Sequence, residues 1–262
     1  MTLVDGRLRT LPERALPRGW ADLVRQVVLF CGAYWMYRLV RGLVDGRAAA
    51  AFENAREIVA FEQGVHAFFE PSVQAFAQAH DILIDFASWA YVNSHFVITT
   101  LTLAWIYLRR NERFYFVRNM FMVAMGIALI LYMVFPTAPP RFLPELGFTD
   151  SVAQFTGVKP ESGSESLLFN PYAAVPSMHV CFALMLGLPM ARMVRSRVAA
   201  ALWRAYPLVI AWAVIATANH WWIDTALGAL TAAVSAAFAA GLFARLRPDA
   251  WAWNRATATA GA

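Results

Sequence analysis

Six stretches of this chain stay apolar for close to the twenty residues that a helix needs to cross a bilayer. They run over about 23–44, 82–108, 114–135, 176–193, 199–218 and 220–246. Hydrocarbon offers the backbone no hydrogen bonds, so such spans must be helices. The expected fold is therefore all-α: a polytopic membrane protein of six transmembrane helices, one domain over residues 1–262. Hydrophobic residues make up 60% of the chain and charged residues 15%, against roughly 45–50% and about 25% in soluble domains. That balance excludes a soluble core. A cleaved signal peptide is a competing reading of the first run, with the alanines at 48–51 as a processing site. Arg38 and Arg41 interrupt the run, and it exceeds the roughly 7–15 residues of a signal core.

The basic residues set an orientation. Arg7, Arg9, Arg14 and Arg18 precede the first span, and Arg109, Arg110, Arg113 and Arg118 follow the second. Arg192, Arg195, Arg197 and Arg204 follow the fourth, and Arg245, Arg247 and Arg255 close the chain. Six spans place all fifteen on one side and leave Arg47, Arg56, Arg141 and Lys159 opposite. The chain is expected to be an integral protein of a bacterial plasma membrane, and the positive-inside rule predicts that both termini are cytoplasmic. The polar loop 136–175 lies outside. The net charge of +5 is accounted for in this way and does not call for a nucleic-acid partner. Between the first two spans, Glu53, Glu57, Glu62 and Glu70 alternate with Phe52, Ile58, Phe61, Val65, Phe68 and Phe69 at helical spacing. This predicts amphipathic interfacial helices, broken near Pro71. An Ala/Thr-rich tail ends the chain.

Ionisable side chains inside a span cost about 2.5–3.5 kcal/mol each on insertion scales, so their positions are informative. Pro176-Ser177-Met178-His179 opens the fourth span, and Asn219-His220-Trp221-Trp222-Ile223-Asp224 joins the fifth to the sixth. Both fall at the extracytoplasmic edge. On a helix, His220 and Asp224 share a face. Steps of four continue that face through Gly228, Ala232, Ala236 and Ala240, and from His179 through Ala183, Gly187 and Ala191. Small residues let membrane helices approach closely. Each histidine therefore heads a stripe suited to the bundle interior.

Such a set supports phosphoryl transfer. Asp224 would orient His220 and leave its other nitrogen free to attack phosphorus, while His179 would act as acid and base. Arg141 and Ser177 are the candidates to hold the phosphate oxygens. Tyr91, His95 and Asn219 are candidate substrate contacts. His66 and His80 read as surface residues, and the pair Trp221 and Trp222 as an interfacial belt. No H-E-x-x-H type of signature is present and the two cysteines, Cys31 and Cys181, lie in apolar runs; no metal and no cofactor are expected.

At these residues the sequence resembles the type 2 phosphatidic acid phosphatase superfamily. Within it, the resemblance is to the inositolphosphotransferase branch that includes inositol phosphorylceramide synthase. PTAPPR at 136–141, AAVPSMH at 173–179 and NHWWIDTALGA at 219–229 carry it. The resemblance implies a six-span layout, a His220 nucleophile, Asp224 as its partner and His179 as acid/base. The superfamily's phosphatases carry Lys-x6-Arg-Pro, Pro-Ser-Gly-His and Ser-Arg-x5-His-x3-Asp. Here Val134 stands at the lysine, Phe142 follows Arg141, Met178 replaces the glycine, and Ala213-Val214 replace Ser-Arg. Two of three cations are gone. Charged hydrogen bonds contribute about 1.5–3 kcal/mol each, so a dianionic monoester loses more here than a diester does.

The expected activity is transfer of a phosphate-linked group from a lipid phosphodiester to an alcohol acceptor through phosphohistidine. A lipid phosphate or polyprenyl diphosphate phosphatase is the alternative. A proton-coupled transporter would place its charges along the midplane or show inverted repeats, whereas these cluster at one edge.

Overall fold

The computed structural model describes residues 16–44, 47–157 and 172–246. The N-terminal Arg7, Arg9 and Arg14, the loop's Lys159 and Phe169, and the tail with Arg247 and Arg255 lie outside the described residues. Within them every regular element is helical. Helix α1 spans Gly19–Val44, α2 Ala48–Gly64 and α3 Glu70–Gln78. Helix α4, Asp81–Asn93, continues through a π turn, Ser94–Ile98, into α5, Thr99–Arg109. Next come α6, Asn111–Val134, two short 3₁₀ turns, Pro140–Phe142 and Pro144–Leu146, and α7, Ser151–Thr156. Helices α8, Met178–Met193, α9, Arg197–Ala216, and α10, Trp222–Phe238, complete the bundle, the last running on through a second π turn, Ala239–Phe243.

Three helices among the described residues are long and apolar enough to cross a membrane: α6, α9 and α10 with its π turn. Helix α8 is shorter but apolar. The chain is an integral membrane protein. Its outward faces carry Val28, Trp35, Leu101, Ile130, Val198, Leu208 and Leu230, all exposed, as expected of surfaces that meet lipid rather than water.

Helix α8 is the centre of the bundle and packs against α6, α9 and α10. Twelve of its sixteen residues are buried. The Ser177 hydroxyl accepts from Val180 N at the start of α8, and the Ser196 hydroxyl from Ala199 N at the start of α9, each satisfying an orphan donor. The small-residue stripes place the neighbours. A Cβ on Gly187 would lie 2.6 Å from the Trp203 carbonyl oxygen of α9, and one on Gly228 would overlap the Ser177 carbonyl oxygen. The stripe on α10 holds through Ala232 and Ala236 but fails at Ala240, which is exposed while Ala239 is fully buried. The reason is helical drift: at 3.6 residues per turn each step of four rotates by about 40°, and the buried line runs instead through Thr231, Ser235 and Ala239.

The opposite end is closed by a buried polar network. Asp22 of α1 accepts from the hydroxyls of Tyr107 at 3.0 Å and Tyr115 at 2.6 Å, and from Gln26 Nε2 at 3.0 Å. Arg118 donates to Gln26 Oε1 at 2.9 Å. Arg118 therefore sits not in the turn after the second apolar run, as its sequence neighbours imply, but 5% exposed inside α6. The interfacial stretch departs from expectation in part. The break near Pro71 is where it is expected, between α2 and α3, with Pro71 in the first turn of α3, a position where its missing N–H costs nothing; the burial of two acids is not. Glu62 and Glu70 are wholly buried.

Candidate active site

The site forms where three segments meet above α8: the stretch 136–141, the start of α8 and the turn 217–224. Backbone pairing sets their register. Thr137 bridges Ala173 in parallel fashion, with Thr137 N donating to Tyr172 O and Ala174 N to Thr137 O. Arg141 N donates to Ala218 O at 2.8 Å, and Ser177 N to Asp224 O at 3.0 Å. Trp221 acts as the wedge. It is fully buried, rests against Phe68 and Phe148, and its indole N–H donates to Ala138 O at 3.2 Å. The expectation of an interfacial belt is wrong for Trp221, because its indole finds a partner inside; Trp222 is half-buried.

The structure brings His179, His220 and Asp224 together. His220 Nδ1 lies 3.3 Å from Asp224 Oδ2. The route differs from the expected helix face. His220 precedes α10, Trp221 is its N-cap, and Asp224, in the third helical position, reaches back. Asp224 Oδ2 accepts from Trp221 N at 3.0 Å as well, so one carboxylate caps the helix and orients the imidazole. Asp224 is completely buried and His220 is 5% exposed, which leaves the second ring nitrogen of His220 as its free edge. Ala218, just before, has φ of 53°, the left-handed region that costs a residue with a Cβ about 1–2 kcal/mol. The tight reversal points Asn219 and His220 back toward α8.

His179, in the first turn of α8, faces His220 edge to face with ring centroids 5.8 Å apart. Tyr91 stacks on His179 at 4.3 Å and His95 lies at 4.6 Å. His95 also stacks on Phe182 at 4.8 Å, and its buried Nδ1 has no hydrogen-bond partner among the described residues. Arg141 donates to Asn219 Oδ1 and pairs with Asp150 through Nε at 3.4 Å. Asn219 is held in turn by Thr217, its amide donating to O at 3.1 Å and to Oγ1 at 2.8 Å. Ser177 is fully buried, its hydroxyl on the Val180 N–H, and it does not reach the cavity described next. His66 and His80 are exposed, as expected.

A cavity of about 640 Å³ joins these residues. Its polar end holds His95, His179, His220, Asn219, Arg141 and Asp150; its apolar end, between α1, α5 and α6, holds Phe30, Leu103, Phe121, Met122, Met125 and Leu129. Along α6 it reaches from Tyr132 to Phe121, about 16 Å at 1.5 Å per residue. That is roughly half the hydrocarbon core of a bilayer. Arg141 is the one arginine among the described residues that line it.

Sequence reasoning missed Asp150, Glu62 and Glu70. A signal for Glu62 was present: it continues the apolar register Ala51, Ala55, Ile58 at steps of three and four, where a solvated carboxylate has no place.

A family model described as the PAP2 superfamily matches residues 56–238, well over half of the chain, and the chain belongs to that superfamily. It is accordingly an enzyme of the lipid phosphatase and phosphotransferase kind. Comparisons with curated proteins and with solved structures return no match.

Proposed function

We propose that this member of the PAP2 superfamily transfers a phosphate-linked group from a lipid phosphodiester to an alcohol, as the inositolphosphotransferase branch does. The observation that carries the reading is one continuous cavity, with His220, His179 and Arg141 at its polar end and room for one apolar chain below. His220 attacks phosphorus through Nε2 while the bond from phosphorus to the leaving oxygen breaks. His179 gives that oxygen its proton. The alcohol then attacks the phosphohistidine, loses its proton to His179, and the P–N bond breaks. Attack begins with phosphorus about 3–3.5 Å from the nucleophile, and an acid works at about 2.6–3.2 Å from the oxygen it protonates. Two imidazoles with centroids 5.8 Å apart can flank one phosphoryl group on those terms. Asp224 stays ionised and favours the imidazolium-like phosphohistidine.

A diester anion carries one negative charge, and one arginine lines the cavity. Tyr91, His95 and Asn219 border the same end and would contact the head group. Purified protein given phosphatidylinositol and a lipid alcohol is expected to form a new phosphodiester faster than it releases inositol phosphate. Rapid release of inorganic phosphate from phosphatidic acid, without transfer to any alcohol, would establish a phosphatase instead.

The reading includes six spans, with α1 and the run from α4 to α5 crossing beside α6, α8, α9 and α10, and both termini cytoplasmic. Arg18, Arg109, Arg110, Arg113, Arg192 and Arg195 then mark the cytoplasmic end, and the histidines face outside. In a background lacking Cys31 and Cys181, Gly163→Cys is expected to react with an impermeant maleimide from outside and Asn111→Cys only after permeabilisation. Labelling of both from one side refutes the topology.

A further inference from the structure

Glu62, near the end of α2, and Glu70, the first residue of α3, have no exposed surface and no part in the steps above. They lie against the start of α10. Trp222 N donates to Glu70 Oε1 at 2.9 Å, and Ile223 N to Glu62 Oε1 at 3.4 Å. Trp221 N donates to Asp224 Oδ2 at 3.0 Å. Three consecutive amides at the head of this helix, which a helix leaves without internal partners, are thus each taken by a carboxyl group.

Capping alone does not require this. One serine suffices at α8 and one at α9. Nor is a pair of buried carboxylates tolerated as two anions, since like charges in one dry site hold a proton between them. The second oxygens point the same way: Glu62 Oε2 and Glu70 Oε2 are both buried and have no hydrogen-bond donor among the described residues. A single proton shared by the two groups makes one a donor and the other its acceptor. The group that keeps it is Glu62, pushed up to about 9 by its burial first, then by the charge of Glu70 and the hydrogen bond between them. The Ile223 amide opposes this and the charge of Asp224 adds to it. The ionisable groups that face Glu62 are therefore Glu70 from α3 and Asp224 from α10.

We propose that Glu62 and Glu70 are positioning residues for the reaction at His220, a carboxyl–carboxylate pair sharing one proton that clamps the first turn of α10. Through that turn they fix Asp224 and the backbone that presents His220. The proposal rests on His220 being the nucleophile. Its pH dependence follows from the direction of the Glu62 shift. A raised acid stabilises the folded protein fully below its unfolded value near 4.5 and loses that contribution as pH rises toward about 9. Above that point two anions face each other and Asp224, and the turn loosens.

The test uses the full-length protein in detergent micelles. Hydrogen–deuterium exchange over residues 219–226, corrected for intrinsic rates, should lose about tenfold in protection between pH 8 and 10. Glu62→Gln keeps an acceptor for Ile223 N and a donor for Glu70 without titrating. It should hold its protection across that range. It should also keep kcat within about threefold at pH 7, on whichever of phosphatidylinositol or phosphatidic acid the wild type turns over, and show no alkaline fall. Glu62→Ala and Glu70→Ala should lower kcat by about ten- to a hundredfold with KM little changed, the usual consequence of a misplacement near 1 Å. Exchange in the wild type that does not vary with pH, or folded alanine variants with wild-type kcat, would overturn the proposal. Should the alanine variants not fold, the Gln variant decides: an alkaline loss equal to the wild type's overturns it too. His220→Ala separates the two readings. If His220→Ala is active, the nucleophile is wrong and the pair has nothing there to position. An inactive His220→Ala beside exchange that ignores pH removes only the pair.

Discussion

His220→Ala is expected to abolish turnover, with kcat falling by about 10⁴- to 10⁶-fold, the range seen when a covalent nucleophile is removed. Nothing nearby replaces it. His179 is the next imidazole, but in the structure its ring is stacked against Tyr91 and His95, and among the described residues it has no carboxylate partner of the kind Asp224 gives His220. His179→Ala should behave differently. The nucleophile remains, so a good leaving group can still be displaced, and the loss of a proton donor and acceptor costs about 10²- to 10⁴-fold. The resolving step suffers as well, so acid-labile label from a phosphorus-labelled lipid should accumulate on His220. Mass spectrometry of the peptide containing His220 checks this directly. Near-normal turnover in His220→Ala, or label on another residue, refutes the assignment.

Asp224→Asn has the second largest expected effect, about 10³- to 10⁴-fold in kcat with little change in KM. The carboxylate has two duties through one oxygen, the 3.3 Å contact to His220 Nδ1 and the 3.0 Å bond from Trp221 N. An amide oxygen can still accept from Trp221, so the helix start survives. With that oxygen kept on Trp221 N it carries no charge to stabilise the cation that forms as His220 takes the phosphoryl group; turned over, its N–H₂ would favour the wrong tautomer of His220. Thermal unfolding of the variant should lie close to that of the wild type. A variant that unfolds early and recovers activity on cooling would show that capping, not tautomer control, is the main role.

Much of this was legible in the chain itself. The apolar runs gave the helices nearly to their ends, and the spacing around His179 and His220 placed both imidazoles at one end of the bundle. Close packing was legible too, since Gly187 and Gly228 mark the points where a Cβ cannot fit. What escaped is what periodicity does not encode. His220 lies before its helix, so its contact with Asp224 is a cap geometry and not a shared face. Trp221 is inside because Ala138 O, 83 residues away in sequence, takes its N–H. Glu62 and Glu70 looked like the polar side of interfacial helices until the amides they serve, on α10, were in place.

Those long separations bear on how the molecule is made. The bonds that build the catalytic turn join residues 152 and 161 positions apart, from Glu70 to Trp222 and from Glu62 to Ile223. The carboxyl groups emerge from the ribosome early and their amide partners late, after most of the bundle has been inserted. Until then the two glutamates, on a pair of amphipathic helices, have no reason to leave the aqueous edge of the membrane. Closure of the site is consequently among the last events of assembly, and the loop-closure entropy it carries is met only when the final helix docks. A chain truncated before Trp222 would keep its early helices yet leave both acids without their amides, and α2 and α3 would stay at the water surface where proteases reach them.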